Sequence, residues 1–131
     1  MRGDKKVLDN TQKEYRKRLQ KHAVDKFSGK VIDNNGLKIK ITTKGIKEFI
    51  NQPHKNYFAK NELVKDLSNI IKNSKYLGYT EDYIKNKDVL KSHILEVGKL
   101  KSWFIVREMK NNDIIFYSIT DSEGILKYIK K

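Results

Sequence analysis

Apolar residues follow two different periods along this chain. In the N-terminal half they recur every three or four positions, the spacing of helices with one buried side. In the last third they alternate with polar residues, the spacing of half-buried strands. Residues 11 to 27, TQKEYRKRLQKHAVDKF, contain neither proline nor glycine and predict a helix. Tyr15, Leu19, Ala23 and Phe27 form its one narrow apolar stripe, and its other faces are basic. Thr11 is the expected N-cap and Gly29 the expected stop. KVIDNNGLKIKIT predicts a β-hairpin, because Asn34, Asn35 and Gly36 tolerate turn geometry and Leu37, Ile39 and Ile41 then alternate with polar residues.

A short helix follows over KGIKEFINQ, capped by Thr42 or Thr43, with Ile46, Phe49 and Ile50 on its inner side. Pro53 ends it, since the residue before a proline is steered away from helical geometry. A longer helix is expected from about Tyr57 to Asn73, carried by Leu63, Val64, Leu67, Ile70 and Ile71. SKYLGYTEDYIKNKDVLKS has no clear period and reads as a loop with one helical turn at most. SHILEVG, KSWFIVREM and DIIFYSIT then predict an antiparallel meander with turns at Gly98-Lys99 and Asn111-Asn112-Asp113. Trp103, Ile105 and Arg107 are expected on one face of its middle strand. Ile114, Phe116, Ser118 and Thr120 are expected on one face of the next. SEGILKYIKK closes as a short helix with a basic end. The expected fold class is α+β, with N-terminal helices packed on an antiparallel sheet. Residues 1–29 form a basic helical extension and residues 30–131 the domain itself.

Charge narrows the functional classes. The formal net charge is +13 over 131 residues, which points to a polyanionic partner, nucleic acid first. There is no cysteine, so disulfide staples, zinc knuckles and thiol nucleophiles are excluded together. No segment has the length and apolarity of a membrane span, and MRGDKKVLDN lacks the apolar core of a signal peptide. The expectation is a protein of the bacterial cytoplasm or of a virion, with no membrane association. Phosphate-binding glycine loops, zinc-protease motifs and serine-hydrolase elbows are all missing, and no carboxylate cluster suits a two-metal nuclease. Neither a cofactor nor a metal is expected.

The residues left with chemical potential are His54, His93, Lys60, Arg107, Ser118 and Thr120. Such a set suits cleavage of RNA without a metal. In-line attack by the 2′-hydroxyl needs a base, an acid for the leaving 5′ oxygen, and cations for the phosphoryl oxygens. Histidine fills either proton role near neutral pH, and arginine or lysine supplies the cation. Each residue also has an ordinary structural role open to it: a solvated loop histidine, a half-buried strand filler, a snorkelling lysine, a surface ion pair between Arg107 and Glu108. Tyr57, Tyr76, Tyr79 and Trp103 are candidate platforms for unpaired bases, with Lys101 among the backbone-binding lysines.

Taken in order, GIKEFINQPHKNY, a long helix, KYLGY, SHILEV, SWFIVREM and FYSITDSE resemble the barnase–EndoU–colicin–RelE-like nuclease domains of phage and mobile-element proteins. The resemblance covers about residues 37 to 131 and leaves the N-terminal helix outside. It implies a small helical part on a curved antiparallel sheet with the active cleft on the sheet face. It implies metal-independent RNA cleavage, in some branches of tRNA. The implied settings are phage head proteins or toxins with an acidic immunity or antitoxin partner. By motif His54, Arg107 and Ser118 match the family's polar positions, with Thr120 close by, and His93 and Lys60 match less closely. Glu108 falls on the opposite strand face from Arg107, which speaks against it as the glutamate base of barnase-type members.

Overall fold

A computed structural model describes the backbone of residues 2–81, 87–98 and 100–130, and the side chains of these from residue 12 onward. Helix α1 spans Arg2–Phe27, strands β1 and β2 span Val31–Asn34 and Leu37–Lys40, and α2 spans Thr43–Asn51. Helices α3 (Tyr57–Glu62) and α4 (Leu67–Asn73) follow, joined by a 3-10 turn over Leu63–Asp66. Strands β3 (Lys75–Thr80), β4 (Val89–Val97), β5 (Ser102–Met109) and β6 (Ile114–Thr120) lead to a second 3-10 segment, Glu123–Tyr128. The fold is α+β around a curled six-stranded sheet in the order β1-β2-β6-β5-β4-β3.

The antiparallel meander holds for β4, β5 and β6, but the sheet as a whole is mixed. β2 meets β6 in parallel, at Lys40 against Ile115. The β1–β2 hairpin turns at Asn35 and Gly36, both at positive φ (52° and 95°). Thr42 caps α2 by accepting the Gly45 N–H at 3.0 Å. Thr11, by contrast, lies inside α1, because nothing from Asp4 to Asn10 breaks a helix. The long helix expected to Asn73 is interrupted at Asp66, whose backbone leaves helical geometry at φ −130°.

The tyrosine-rich stretch expected as a loop contains β3. Gly78 hides it: the residue sits at φ 138° beside a bulge that breaks alternation. A side chain there would meet the Lys130 carbonyl oxygen at 2.3 Å, because the C-terminal segment pairs with Tyr79 through two backbone hydrogen bonds of 2.7 and 2.9 Å. A second bulge, at Tyr117, moves Phe116 to the opposite face from Ser118 and Thr120, so the single face expected for that strand is split.

Two apolar layers result. One face of the sheet carries Leu95, Val97, Phe104, Val106, Phe116 and Ile119; α2 and α4 cover it, and α1 packs on these helices and the 3-10 turn. Leu19, Ala23 and Phe27 of the α1 stripe belong to this same core. The other face carries Ile94 and Trp103 beneath Ile125 of the C-terminal 3-10 segment.

Candidate functional site

The sequence-derived candidates separate into four places. His54 stands at the corner after Pro53. Its Nδ1 accepts the Asn56 backbone N–H at 2.8 Å, so in the neutral ring the proton is on Nε2, which donates to Ser102 Oγ at 2.5 Å. Ser102 is therefore an acceptor from His54 and not a hydroxyl that His54 activates. Burial pushes the His54 pKa below 6.5, opposed by the Asp121 carboxylate and reinforced by Lys60. Asp121 itself accepts the Lys55 N–H at 2.7 Å and closes this corner.

Lys60 is fully buried, and its ammonium spends all three protons on α2's C-terminal carbonyls: Phe49 at 2.7 Å, Ile50 at 3.0 Å and Gln52 at 2.6 Å. The Tyr57 hydroxyl also donates to the Ile50 carbonyl, and the Tyr57 ring lies 4.3 Å from the Lys60 Nζ. This pair closes the end of α2 and keeps no donor for a ligand.

On the outer face, Trp103 is 5% exposed and packs with Ile94 and Ile125, so it offers no stacking surface. Ser118 is buried opposite Ile105, with its hydroxyl turned to the Ile119 carbonyl. Thr120 lies opposite Trp103 and accepts the Ser122 N–H. Arg107 lies flat on Tyr117, 3.5 Å from the ring centroid. Ser102 and Arg107 stand five positions apart on β5, roughly 17 Å of strand, so the His54 corner and Arg107 occupy opposite ends of that strand. Lys101 is an exposed side chain paired with Glu123.

The fourth place joins groups that alternation along one strand does not connect. His93 of β4 is held at both ring nitrogens: Nε2 lies 2.8 Å from Glu108 Oε1 and Nδ1 lies 2.7 Å from the Tyr76 hydroxyl. Tyr79 packs its ring edge against His93, and the Lys91 ammonium sits 4.5 Å from the Tyr79 centroid. The register explains the gathering. Lys91 pairs with Glu108, His93 with Val106, and Tyr79 with His93, so all these side chains leave the helix-bearing face of three adjacent strands. The Glu108 side chain is 20% exposed and Tyr76 is 38% exposed, while the His93 side chain is 7% exposed between them. Burial, then the nearby Glu108, raise the Tyr76 pKa above 10, so it is a neutral hydroxyl at physiological pH.

Chemically this is a proton-transfer chain with two outlets. In the imidazolium form, Nε2–H donates to Glu108 and Nδ1–H to the Tyr76 oxygen, which frees the phenolic proton to face outward. Glu108 keeps a second carboxylate oxygen as a base. Glu108 and Lys91 are the members that sequence reasoning passed over. Their signal was present as the i, i+2 pair Lys91/His93, but Glu108 joins it only once the β4–β5 register is known.

Among the described residues, no three His, Asp or Glu side chains converge as a metal-binding group. No described helix is long and apolar enough to cross a membrane. The sequence matches the family model of large polyvalent protein-associated domain 3 over residues 10–117. No curated protein and no solved structure gives a significant match.

Proposed function

The chain belongs to the large polyvalent protein-associated domain 3 family, and we propose that it is a metal-independent endoribonuclease domain of phage or mobile-element proteins. The observation that carries this reading is the Tyr76–His93–Glu108 chain at the open end of a strongly basic domain. Glu108 takes the 2′-hydroxyl proton through its free oxygen as the 2′ oxygen attacks phosphorus. The P–O5′ bond breaks, Tyr76 protonates the leaving 5′ oxygen, and His93 Nδ1 returns a proton to Tyr76. The products are a 2′,3′-cyclic phosphate and a 5′-hydroxyl, and the protein's proton count is unchanged. Lys91 lies on the same face, and in this scheme its ammonium meets charge developing on the phosphoryl oxygens. His54 and Lys60 act in this scheme on the fold and not on RNA.

The test is incubation with mixed tRNA and single-stranded RNA in excess chelator, with fragments scored for cyclic-phosphate ends. Wild type is expected to cleave. Glu108→Gln and His93→Gln are expected to lose about 10²–10⁴-fold in rate with RNA binding retained. Tyr76→Phe loses the acid while keeping the ring. Cleavage that survives Glu108→Gln and His93→Gln in folded protein overturns the site. Binding without cleavage by wild type across many RNAs would instead make the domain a non-catalytic nucleic-acid-binding module.

A further inference from the structure

A second basic feature lies on the other face, where β2 leaves β6 and α2 begins. A cavity of about 260 Å³ opens there, lined by Thr42, Lys44, Arg107, Met109, Phe116 and Tyr117 among others. Its charge is unbalanced. Arg107 touches no carboxylate among the described residues, its cross-strand partners being Ser92 and Ile115. Lys44 has no ion pair among them either, and the first turn of α2 contains no acidic residue. Thr42 already satisfies the Gly45 N–H, so the cavity's positive character comes from the two side chains.

Arg107 is half-buried, and its guanidinium plane is fixed by the Tyr117 ring. Stacking consumes the face of an arginine and leaves its N–H edge pointing sideways, the geometry in which it grips a phosphate with two parallel hydrogen bonds. A partly desolvated cation without an acidic partner is costly unless an anion joins it. The cavity is large enough for a phosphate group with part of its sugar, and it is separated from His93 and Glu108 by the thickness of the sheet, since Arg107 and Glu108 project from opposite faces.

We propose that this cavity is a phosphate-binding subsite for a backbone phosphodiester of RNA, held by Arg107 and Lys44 and acting apart from catalysis. It rests on the reading of RNA as the ligand and not on the reading that RNA is cleaved. The subsite anchors a strand on the outer face and leaves the reacting phosphate to the inner one.

The experiment measures binding of a fluorescein-labelled single-stranded 12-nucleotide RNA by anisotropy, at several salt concentrations, with Glu108→Gln as the background. Arg107→Gln and Lys44→Gln are each expected to weaken binding about tenfold at low salt and to lower the salt slope by about one unit. Lys44 projects from the first turn of α2, so Lys44→Gln keeps the test open if Arg107→Gln unfolds. Lys127→Gln, a distant exposed control, is expected to change binding less than threefold. Inorganic phosphate at millimolar concentration should shift the Lys44 amide resonance in wild type and not in Arg107→Gln. Unchanged affinity and slope in both folded variants would overturn the subsite, as would an equal loss in Lys127→Gln. Should wild type fail to cleave any RNA yet show the Arg107 and Lys44 effects, catalysis fails and the subsite stands.

Discussion

Gly45 is where α2 meets the sheet, and it yields a sharp test of the fold around Arg107. A methyl group on its Cα would lie 2.2 Å from the Phe116 carbonyl oxygen and 3.2 Å from the carbonyl carbon. Comfortable contact begins near about 3.5 Å, so Gly45→Ala demands a displacement of about 1 Å. The oxygen cannot step aside, because β6 is pinned to β5 from Ile114 to Thr120. The helix must lift instead. Ile46, Phe49 and Ile50 would lift with it, and all three are buried, Phe49 against Phe104 and Phe116 at centroid distances of 6.2 and 5.8 Å. A gap of that size forfeits roughly a quarter to a half of each contact's attraction. Overpacking a core costs about 1–3 kcal/mol, and a clash with backbone belongs at the upper end or beyond it. Alanine returns about 1 kcal/mol through helix propensity. The net expectation is a loss of about 2–3 kcal/mol, a fall in Tm of roughly 6–15 °C for a domain of this size. Differential scanning calorimetry measures it. Gly124→Ala is the control, since its nearest neighbour is the Ser122 hydroxyl at 3.4 Å, and it should stay within about 0.5 kcal/mol. A Tm for Gly45→Ala equal to wild type, or higher, would refute the close approach of α2 to β6 and with it the walls of the Arg107 cavity.

Two further expectations concern sequence candidates whose side chains bond to neighbouring backbone and hydroxyl groups in the fold. Lys60→Met strips donors from the Phe49 and Gln52 carbonyls and should cost about 2 kcal/mol in urea denaturation at neutral pH. Burial holds the Lys60 pKa down to about 8 from 10.5, so between those values the unfolded chain holds a proton that the folded chain has released. Stability of wild type relative to the variant should then widen as pH rises through that window, and a narrowing gap would contradict the burial of the ammonium. For His54 the folded pKa also lies below its unfolded value of 6.5, so its stabilising contribution is complete above that pH and fades as pH falls through the folded value. Comparing wild type with His54→Asn from pH 7.5 to 5 should show the wild-type advantage shrinking on acidification, and an advantage that grows would mean that the ring is held as an imidazolium.

Periodicity read the helical half and the inward residues of β4 and β5 because these line one shared core. Leu19, Ala23 and Phe27, Ile46, Phe49 and Ile50, and Leu95, Val97, Phe104 and Val106 all face inward as their spacing requires. It failed where backbone irregularity broke the period. Gly78 at positive φ erased β3, and the bulge at Tyr117 reassigned Phe116. The break at Asp66 divided one expected helix into α3, a 3-10 turn and α4. The parallel contact of β2 with β6 left no mark in the sequence, because it joins segments some 75 residues apart through one residue pair, Lys40 and Ile115.

The candidate site was legible as residue types and not as a grouping. Pro53 does place His54 at a corner, yet that corner is closed by Ser102, Asn56 and Asp121. Lys60, one turn into the next helix, is drawn inward by the carbonyls that the same proline break leaves without helical partners. Strand alternation correctly set Glu108 and Arg107 on opposite faces. Sequence order ties Glu108 to Arg107, but cross-strand register ties it to Lys91 and His93. A proton-transfer pair needs side chains about 3 Å apart, and in a sheet that distance is set across strands, where neighbours on one face stand about 5 Å apart at Cβ, rather than along them. The inner face therefore collects titratable groups from three strands while the outer face keeps the arginine.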